Sequence, residues 1–313
     1  MKAHPDVVAG IDLGGTATRI AIVEKLSGEL ASSRTVLTES LAGTSKAETM
    51  DRLVAAICDV VGSTGPLGAL GIGASGPIDT ANGVIRNPDT LAGFSGFSIV
   101  EELISRLELP VLLANDTVCA ALGEYATGSS SGSRRPLMVT LGTGVGVALL
   151  DGGVPFKGTS EEHPEAGHIG VGLSLERCYC GAQGCWEQMA SRTALERLAS
   201  SLLPEDIEPV RRLAWLVENS KTDRDVQRVL EVYGVDVGRG LSVLSNVYSP
   251  DKIVLGGSVA RLLPVFRNSM VASMGKNGAF NREVSIVESA LGSLAGALGA
   301  ASTVRDHTGP LDQ

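Results

Sequence analysis

Basic clusters are missing from this sequence. Its 26 lysines and arginines are outnumbered by 35 aspartates and glutamates, a formal charge of −9. A chain of that balance is a poor partner for nucleic acid or for an anionic membrane surface. Long apolar runs are missing too, since none approaches the ~18 residues of a membrane helix. The opening stretch MKAHPDVVAGIDLGG is interrupted by Pro5, Asp6 and Asp12, where a signal peptide needs an unbroken core of about 7–15 apolar residues. Cysteines number only five, an odd count that suits a disulfide framework badly. A cytoplasmic protein with reduced thiols is therefore expected, without nucleic-acid or membrane partners. The P-loop pattern G-x-x-x-x-G-K-[ST] is absent. A formal dinucleotide fingerprint, Gly71-x-Gly73-x-x-Gly76, is present, but PIDTANGVIRNPDT follows it, with turn signals at Asn82-Gly83 and Asn87-Pro88 in place of a helix. That reading is rejected.

Glycine is abundant, with 39 in 313 residues, many in short motifs. These point to tight turns and close backbone approach to a ligand. VVAGID, LGGTAT and RIAIVEK read as strand, turn and strand. PLMVTLGTGVGVALLDGG repeats that pattern in the second half, which suggests a duplicated α/β unit. Between the two, helices are expected over 47–62 and 99–107 and in TVCAALGEYATG, with strands at ALGIGA and PVLLAND. The serine-rich SSSGSRRP is a connector. Past the second hairpin, WEQMASRTALERLASSLL and the stretch from Pro204 to Ser249 read as helix, DKIVLGG and EVSIVES as strands, and LGSLAGALGAASTV as a small-residue helix. Two domains are expected, 1–116 and 117–290, with helix 291–304 joining the first. Cys58 and Cys119 fall on apolar helix faces and read as core residues.

The remaining three cysteines crowd into CYCGAQGCWEQ. Cys178, Cys180 and Cys185, with His168 ten residues upstream, form a Cys3His set suited to a tetrahedral structural zinc; a reduced loop without metal is the alternative. Such a knot would fix Glu165 and Glu187 in space as paired acceptors for a polyhydroxylated ligand, the alternative being two surface charges. In DLGGTATR, Gly14 and Gly15 let backbone N–H groups approach an anion, Thr16 adds a hydroxyl, and Asp12 would hold a cation through water. Gly142, Thr143 and Gly144 repeat the device, and nucleotide phosphates are the natural occupant of such a pair. Asn115 and Asp116 sit where a buried strand meets a helix. Capping is one reading of Asp116; a proton acceptor for an alcohol attacking a phosphate is the other.

Together GIDLGGTATR, GIGASGPID, NPDTLAGFSGF, ANDTVCAALGE, LGTGVG, PEAGHIGV, CYCGAQGCWE and DKIVLGG resemble the ROK family (repressor, open reading frame, kinase) over about Val7 to Ala301. The resemblance implies an actin-like ATPase fold, ribonuclease H-like and of the hexokinase type, with two domains around a cleft. It implies an ATP-dependent hexose kinase that uses Mg2+ and a structural Zn2+, with glucose as the first candidate sugar and N-acetylmannosamine or N-acetylglucosamine next. By that resemblance Asp116 is the general base. Gly76, Thr90, Asn115, Glu165, His168 and Glu187 bind the sugar. Gly256 and Gly257 join the two glycine turns at ATP, and the protein is a homodimer. A non-catalytic sugar-sensing protein is the alternative of another class. Family repressors carry a winged helix before the first hairpin; six residues precede Val7 here, so a repressor is not expected. Ser75, Phe94 and Val147 stand where the family more often has proline, tryptophan and glycine.

Overall fold

The computed structural model describes residues 7–62, 64–159, 162–172, 177–277 and 284–305. It divides into two compact units. The first holds residues 1–132, 149–163 and 290–313, the second 133–148 and 164–289.

In the first unit β1 (Val7–Leu13), β2 (Ala17–Glu24) and β3 (Leu30–Leu37) form an antiparallel meander, and β4 (Leu67–Ala74) lies parallel to β1 on its other side. A small hairpin, β5 (Ile78–Asp79) with β6 (Val84–Ile85), precedes β7 (Val111–Asn115), which pairs in parallel with β4. The order is β3-β2-β1-β4-β7. β1 is apolar along almost its whole length because it is central and covered on both faces. Helices α1 (Thr38–Leu41), α2 (Lys46–Val61), α3 (Ile99–Leu107) and α4 (Asp116–Thr127) belong to this unit. Ser45 caps α2 by accepting from Glu48 N–H, and Ser98 caps α3 from Glu101 N–H. Cys58 departs from expectation. The buried stripe of α2 runs Met50, Leu53, Ala56, Ile57 and Val60, and Cys58, about 100° round the helix from Ile57, is exposed. Cys119 is buried, as its apolar face suggested.

The second unit repeats the plan. β8 (Pro136–Leu141) and β9 (Val145–Asp151) flank a three-residue turn, and β11 (Lys252–Gly256) pairs in parallel with both β8 and β12 (Ser285–Glu288). β9 runs on past Ala148 into the 149–163 segment of the first unit, where β10 (Val154–Pro155) folds back on it. The order β10-β9-β8-β11-β12 mirrors that of the first sheet. The expected helical stretch 186–203 breaks at Ser191, whose hydroxyl accepts from Ala194 N–H and separates α5 (Glu187–Ala190) from α6 (Arg192–Leu198). The long stretch from Pro204 to Ser249 likewise resolves into α7 (Arg212–Asn219) and α8 (Arg224–Tyr248), the latter capped by Asp223. α9 (Leu263–Asn277) follows.

The last helix, α10 (Ala295–Arg305), returns to the first unit. It lies so close that a Cβ at Gly10 would overlap Ala297 O, at Gly71 Ala300 O, at Gly123 Ala295 O and at Gly299 Cys119 O. Backbone meets backbone without side chains between. This packing draws α4 into the first unit, and the two units divide after Gly132, inside the serine-rich connector.

Candidate functional site

Two constellations emerge, one in each unit. In the first, the carboxyl ends of three parallel strands supply the side chains, the usual place for ligand groups in an open α/β sheet. Asp12 stands near the end of β1 in register with Gly73, and Ala74 at the end of β4 is level with Asn115 at the end of β7. Asn115 is the cap of α4: its side-chain oxygen accepts from Thr117 N–H at 2.9 Å and Val118 N–H at 3.2 Å. Capping is thus carried by Asn115. Asp116, the next residue, accepts from Thr117 N–H at 2.7 Å through Oδ1 and from the Ser75 hydroxyl at 2.8 Å through Oδ2. Its carboxylate is held at the helix N-terminus, where the dipole favours negative charge.

Asn87 ties the neighbouring loop together. Its amide donates to Gly76 O at 2.8 Å and its carbonyl accepts from the Thr90 hydroxyl at 2.6 Å. Thr90 in turn faces Gly15, where a Cβ would stand 3.2 Å from it. The turn of Gly14 to Thr16 is pinned by Thr38, which donates to Gly14 O and Thr16 O. Asp12, Gly14, Gly15, Thr16, Gly76, Thr90, Asn115 and Asp116 therefore share one loop cluster at the strand ends. Ser75 and Asn87 complete it; sequence reading saw the first only as a departure from proline and the second only as a turn signal.

Asp12 is the strained member. Burial above all, then the negative charge of Asp116, pushes its pKa up to about 6, while Arg19 at 3.2 Å pulls it back. The folded state thus holds this proton more tightly than the unfolded chain, whose Asp12 titrates near 3.8. Stability contributed by the neutral carboxyl is complete below that value and is lost as pH rises through about 6. A rise from 3.8 to about 6 is equivalent to about 3 kcal/mol. Asp12→Asn is therefore expected to gain stability over the parent by about 2–3 kcal/mol more at pH 8 than at pH 4. Urea unfolding at the two pH values measures this difference, and equal differences at both would refute it.

In the second unit Gly142, Thr143 and Gly144 form the turn between β8 and β9, and Gly256 lies in register with Thr140 on the adjacent parallel strand. Gly257 takes φ +80°, and a Cβ there would strike the Leu141 backbone. Both glycine pairs thus sit at carboxyl ends of neighbouring strands. The turn is braced by the segment after the cysteine loop. Arg192 N–H donates to Gly142 O at 2.7 Å, the Arg192 guanidinium to the Thr143 hydroxyl and the Thr193 hydroxyl to Thr143 O. Glu187 accepts from Val145 N–H at 2.9 Å, in space a Cβ on Gly144 would fill.

His168, Cys178, Cys180 and Cys185 converge, their ligand atoms all within 4.8 Å of one another. His168 Nδ1 lies 3.5 Å from Cys178 Sγ, and Cys180 Sγ lies 3.5 Å from Cys185 Sγ. Tetrahedral zinc with bonds of about 2.0–2.3 Å spaces its ligands about 3.5–3.8 Å apart, so the donor set and spacing fit that ion. Trp186 anchors the far side: fully buried, it donates to Asp236 O at 3.0 Å and rests where a Cβ on Gly240 would be. Glu165, one residue before the short 3-10 turn 166–168, is exposed, and Glu187 is half-buried. Desolvation of its hydroxyl end, where the ring is otherwise open to solvent, and then the charge of Glu187 raise the pKa of the Tyr179 phenol. Sequence reading passed over Tyr179.

A sheet plan repeated in two units, each with its ligand groups at strand ends, defines the actin-like fold of the hexokinase type. Residues 8–307 match the model of the ROK family, and the chain belongs to that family. It is 28% identical to a glucokinase of Thermotoga maritima, an alignment covering 96% of this chain and 98% of that one. It superposes on the crystal structure of a ROK family glucokinase from Streptomyces griseus in complex with glucose and AMPPNP, with TM-score 0.81, 26% identity, and coverage of 96% and 100% of the two chains. It is also 26% identical to the xylose repressor of Bacillus subtilis, over 77% of this chain and 62% of that protein. Among the described residues no helix is long and apolar enough to cross a membrane.

Proposed function

We propose that this protein is an ATP-dependent sugar kinase that phosphorylates a hexose at its primary hydroxyl, with glucose the first candidate. The observation that carries the reading is the Asp116 carboxylate, presented at a helix N-terminus by Ser75 and Thr117 while Asn115 does the capping. In the reaction, Asp116 accepts the proton of the hydroxyl as its oxygen bonds to the γ-phosphorus of ATP. The bond from that phosphorus to the β–γ bridging oxygen breaks, and ADP leaves. Gly14 and Gly15, Gly142 to Gly144 and Gly256 to Gly257 offer backbone N–H groups to phosphate oxygens. Asp12, whose charge is costly where it stands, would hold Mg2+ through water, and Mg2+ would neutralise charge on the transferring phosphoryl.

Thr90, Asn115, Glu165, His168 and Glu187 are the proposed acceptors and donors for sugar hydroxyls. A zinc ion on His168 and the three cysteines would be structural, since four protein ligands fill its shell. Its removal by a strong chelator is expected to weaken sugar binding at least tenfold by calorimetry while the far-ultraviolet circular dichroism stays largely unchanged; unaltered affinity would contradict a positioning role for the loop. A cytoplasmic homodimer remains part of the reading.

The deciding experiment measures ADP release with Mg-ATP across glucose, mannose, fructose, allose, N-acetylglucosamine and N-acetylmannosamine. Turnover with an N-acetylhexosamine alone moves the substrate to that class. Binding of a sugar without turnover favours the sensing role suggested by the repressor relative.

A further inference from the structure

We propose that the Tyr179 hydroxyl competes with a sugar hydroxyl for the same two groups, His168 Nε2 and the Glu187 carboxylate, and so sets the affinity of this subsite. The inference rests on the sugar-binding reading of His168 and Glu187 given above.

Tyr179 stands between two of the cysteines, and its ring meets His168 edge-on, centroids 5.0 Å apart at 90°. Its hydroxyl lies 3.0 Å from His168 Nε2 and close enough to the Glu187 carboxylate for that group's charge and hydrogen bonding to raise the phenol's pKa. A carboxylate can only accept, so the phenol donates to Glu187. The phenol oxygen then accepts from Nε2–H. That tautomer leaves the lone pair on Nδ1, the nitrogen turned toward Cys178, which is the arrangement a metal-ligating histidine adopts when its other nitrogen donates to a partner. Tyr179 therefore gives a proton to the carboxylate and takes one from the imidazole. An alcohol of a sugar has the same donor and acceptor capacity.

The rest of the side chain is loosely held. Tyr179 is 83% exposed, the most open aromatic residue among the described ones. No core packing opposes its departure, so the cost of moving it is the loss of its polar contacts and the edge contact with His168. A sugar hydroxyl arriving between His168 and Glu187 restores the polar contacts, and the net gain is reduced by what the tyrosine gives up. Phenylalanine at this position keeps the ring contact and removes the competing hydroxyl.

The test compares the parent with Tyr179→Phe and Tyr179→Ala. Sugar titrations by calorimetry without nucleotide give Kd for the six sugars above, and steady-state assays separate KM from kcat. Zinc is counted with a chromogenic chelator after denaturation. Tyr179→Phe is expected to lower Kd and KM by about three- to tenfold, the effect of one net hydrogen bond, with kcat and zinc content as in the parent. Equal or weaker sugar binding by Tyr179→Phe overturns the proposal while leaving the kinase reading intact. Loss of zinc together with loss of affinity overturns it as well, because Tyr179 would then be a positioning residue for His168. Absence of sugar binding in the parent and both variants overturns the subsite reading and the proposal together.

Discussion

Asparagine in place of Asp116 is expected to lower sugar-dependent ADP release by about a hundred- to ten-thousandfold, the range a positioned general base supplies. The substitution keeps the shape of the side chain. Its carbonyl oxygen can still accept from Thr117 N–H, and α4 stays capped because Asn115 does that work. Proton acceptance is what disappears: an amide oxygen is far too weak a base to take a proton from an alcohol at neutral pH. The prediction therefore separates chemistry from folding. Thermal unfolding of Asp116→Asn should lie within a few degrees of the parent, and its sugar Kd by calorimetry within a few-fold, while turnover collapses. Turnover within about twofold of the parent would remove Asp116 from the mechanism and with it the strongest support for a kinase.

The largest effect on stability is expected at Glu124. This carboxylate is fully buried on α4. Its oxygens accept from Ser129 N–H at 2.6 Å, Leu291 N–H at 2.9 Å and Ala290 N–H at 3.2 Å. One side chain thus closes the turn after α4 and the approach to α10, and Gly128 has no Cβ where the carboxylate passes. Glu124→Leu is close in volume but takes the acceptor from three part-buried backbone donors, each costing up to about 1–3 kcal/mol. A loss of roughly 3–6 kcal/mol follows, a large part of the 5–15 kcal/mol by which folded domains typically exceed their unfolded chains. Glu124→Gln keeps one acceptor and should fall between. Urea midpoints would measure both, and a Glu124→Leu protein as stable as the parent would show that these contacts contribute little.

The repeated hairpins, the glycine turns and the Cys3His spacing were legible in the sequence because each is local: a short pattern with one dominant physical use. The paired sheets follow that duplication strand for strand. Less legible were roles created by partners distant in the chain. Ser75 reads as a small residue after a strand until β4 and β7 align and bring it to Asp116, 41 positions on. Glu124 looks like any helix glutamate, since nothing local tells that residues 290–291 will cap it. Cys58 misleads for the opposite reason: helical spacing fixes which residues share a stripe but not how wide the covered stripe is, and α2 buries one that stops short of it. A single helical stretch through Pro204 to Ser249 is too long because good helix formers fill the segment, while Pro209 begins only a short 3-10 turn before α7 and the Asp223 cap restarts the helix at Arg224. Glu187 is expected at a ligand, yet its acceptance from Val145 N–H ties it to the glycine turn as well.

The glycine contacts of α10 bear on how the chain is made. Gly10 and Gly71 on β1 and β4, and Gly123 on α4, all await the backbone of residues 295–301. On the ribosome those strands emerge long before their cover does. Roughly 160 residues separate Gly132 from Ala290, and at about 5–20 residues per second their synthesis takes on the order of ten to thirty seconds. For that interval the β1 and β4 face carries a bare seam with no side chains of its own to fill it, so nascent chains are expected to stay open to aggregation and chaperone capture until residues 295–301 have emerged.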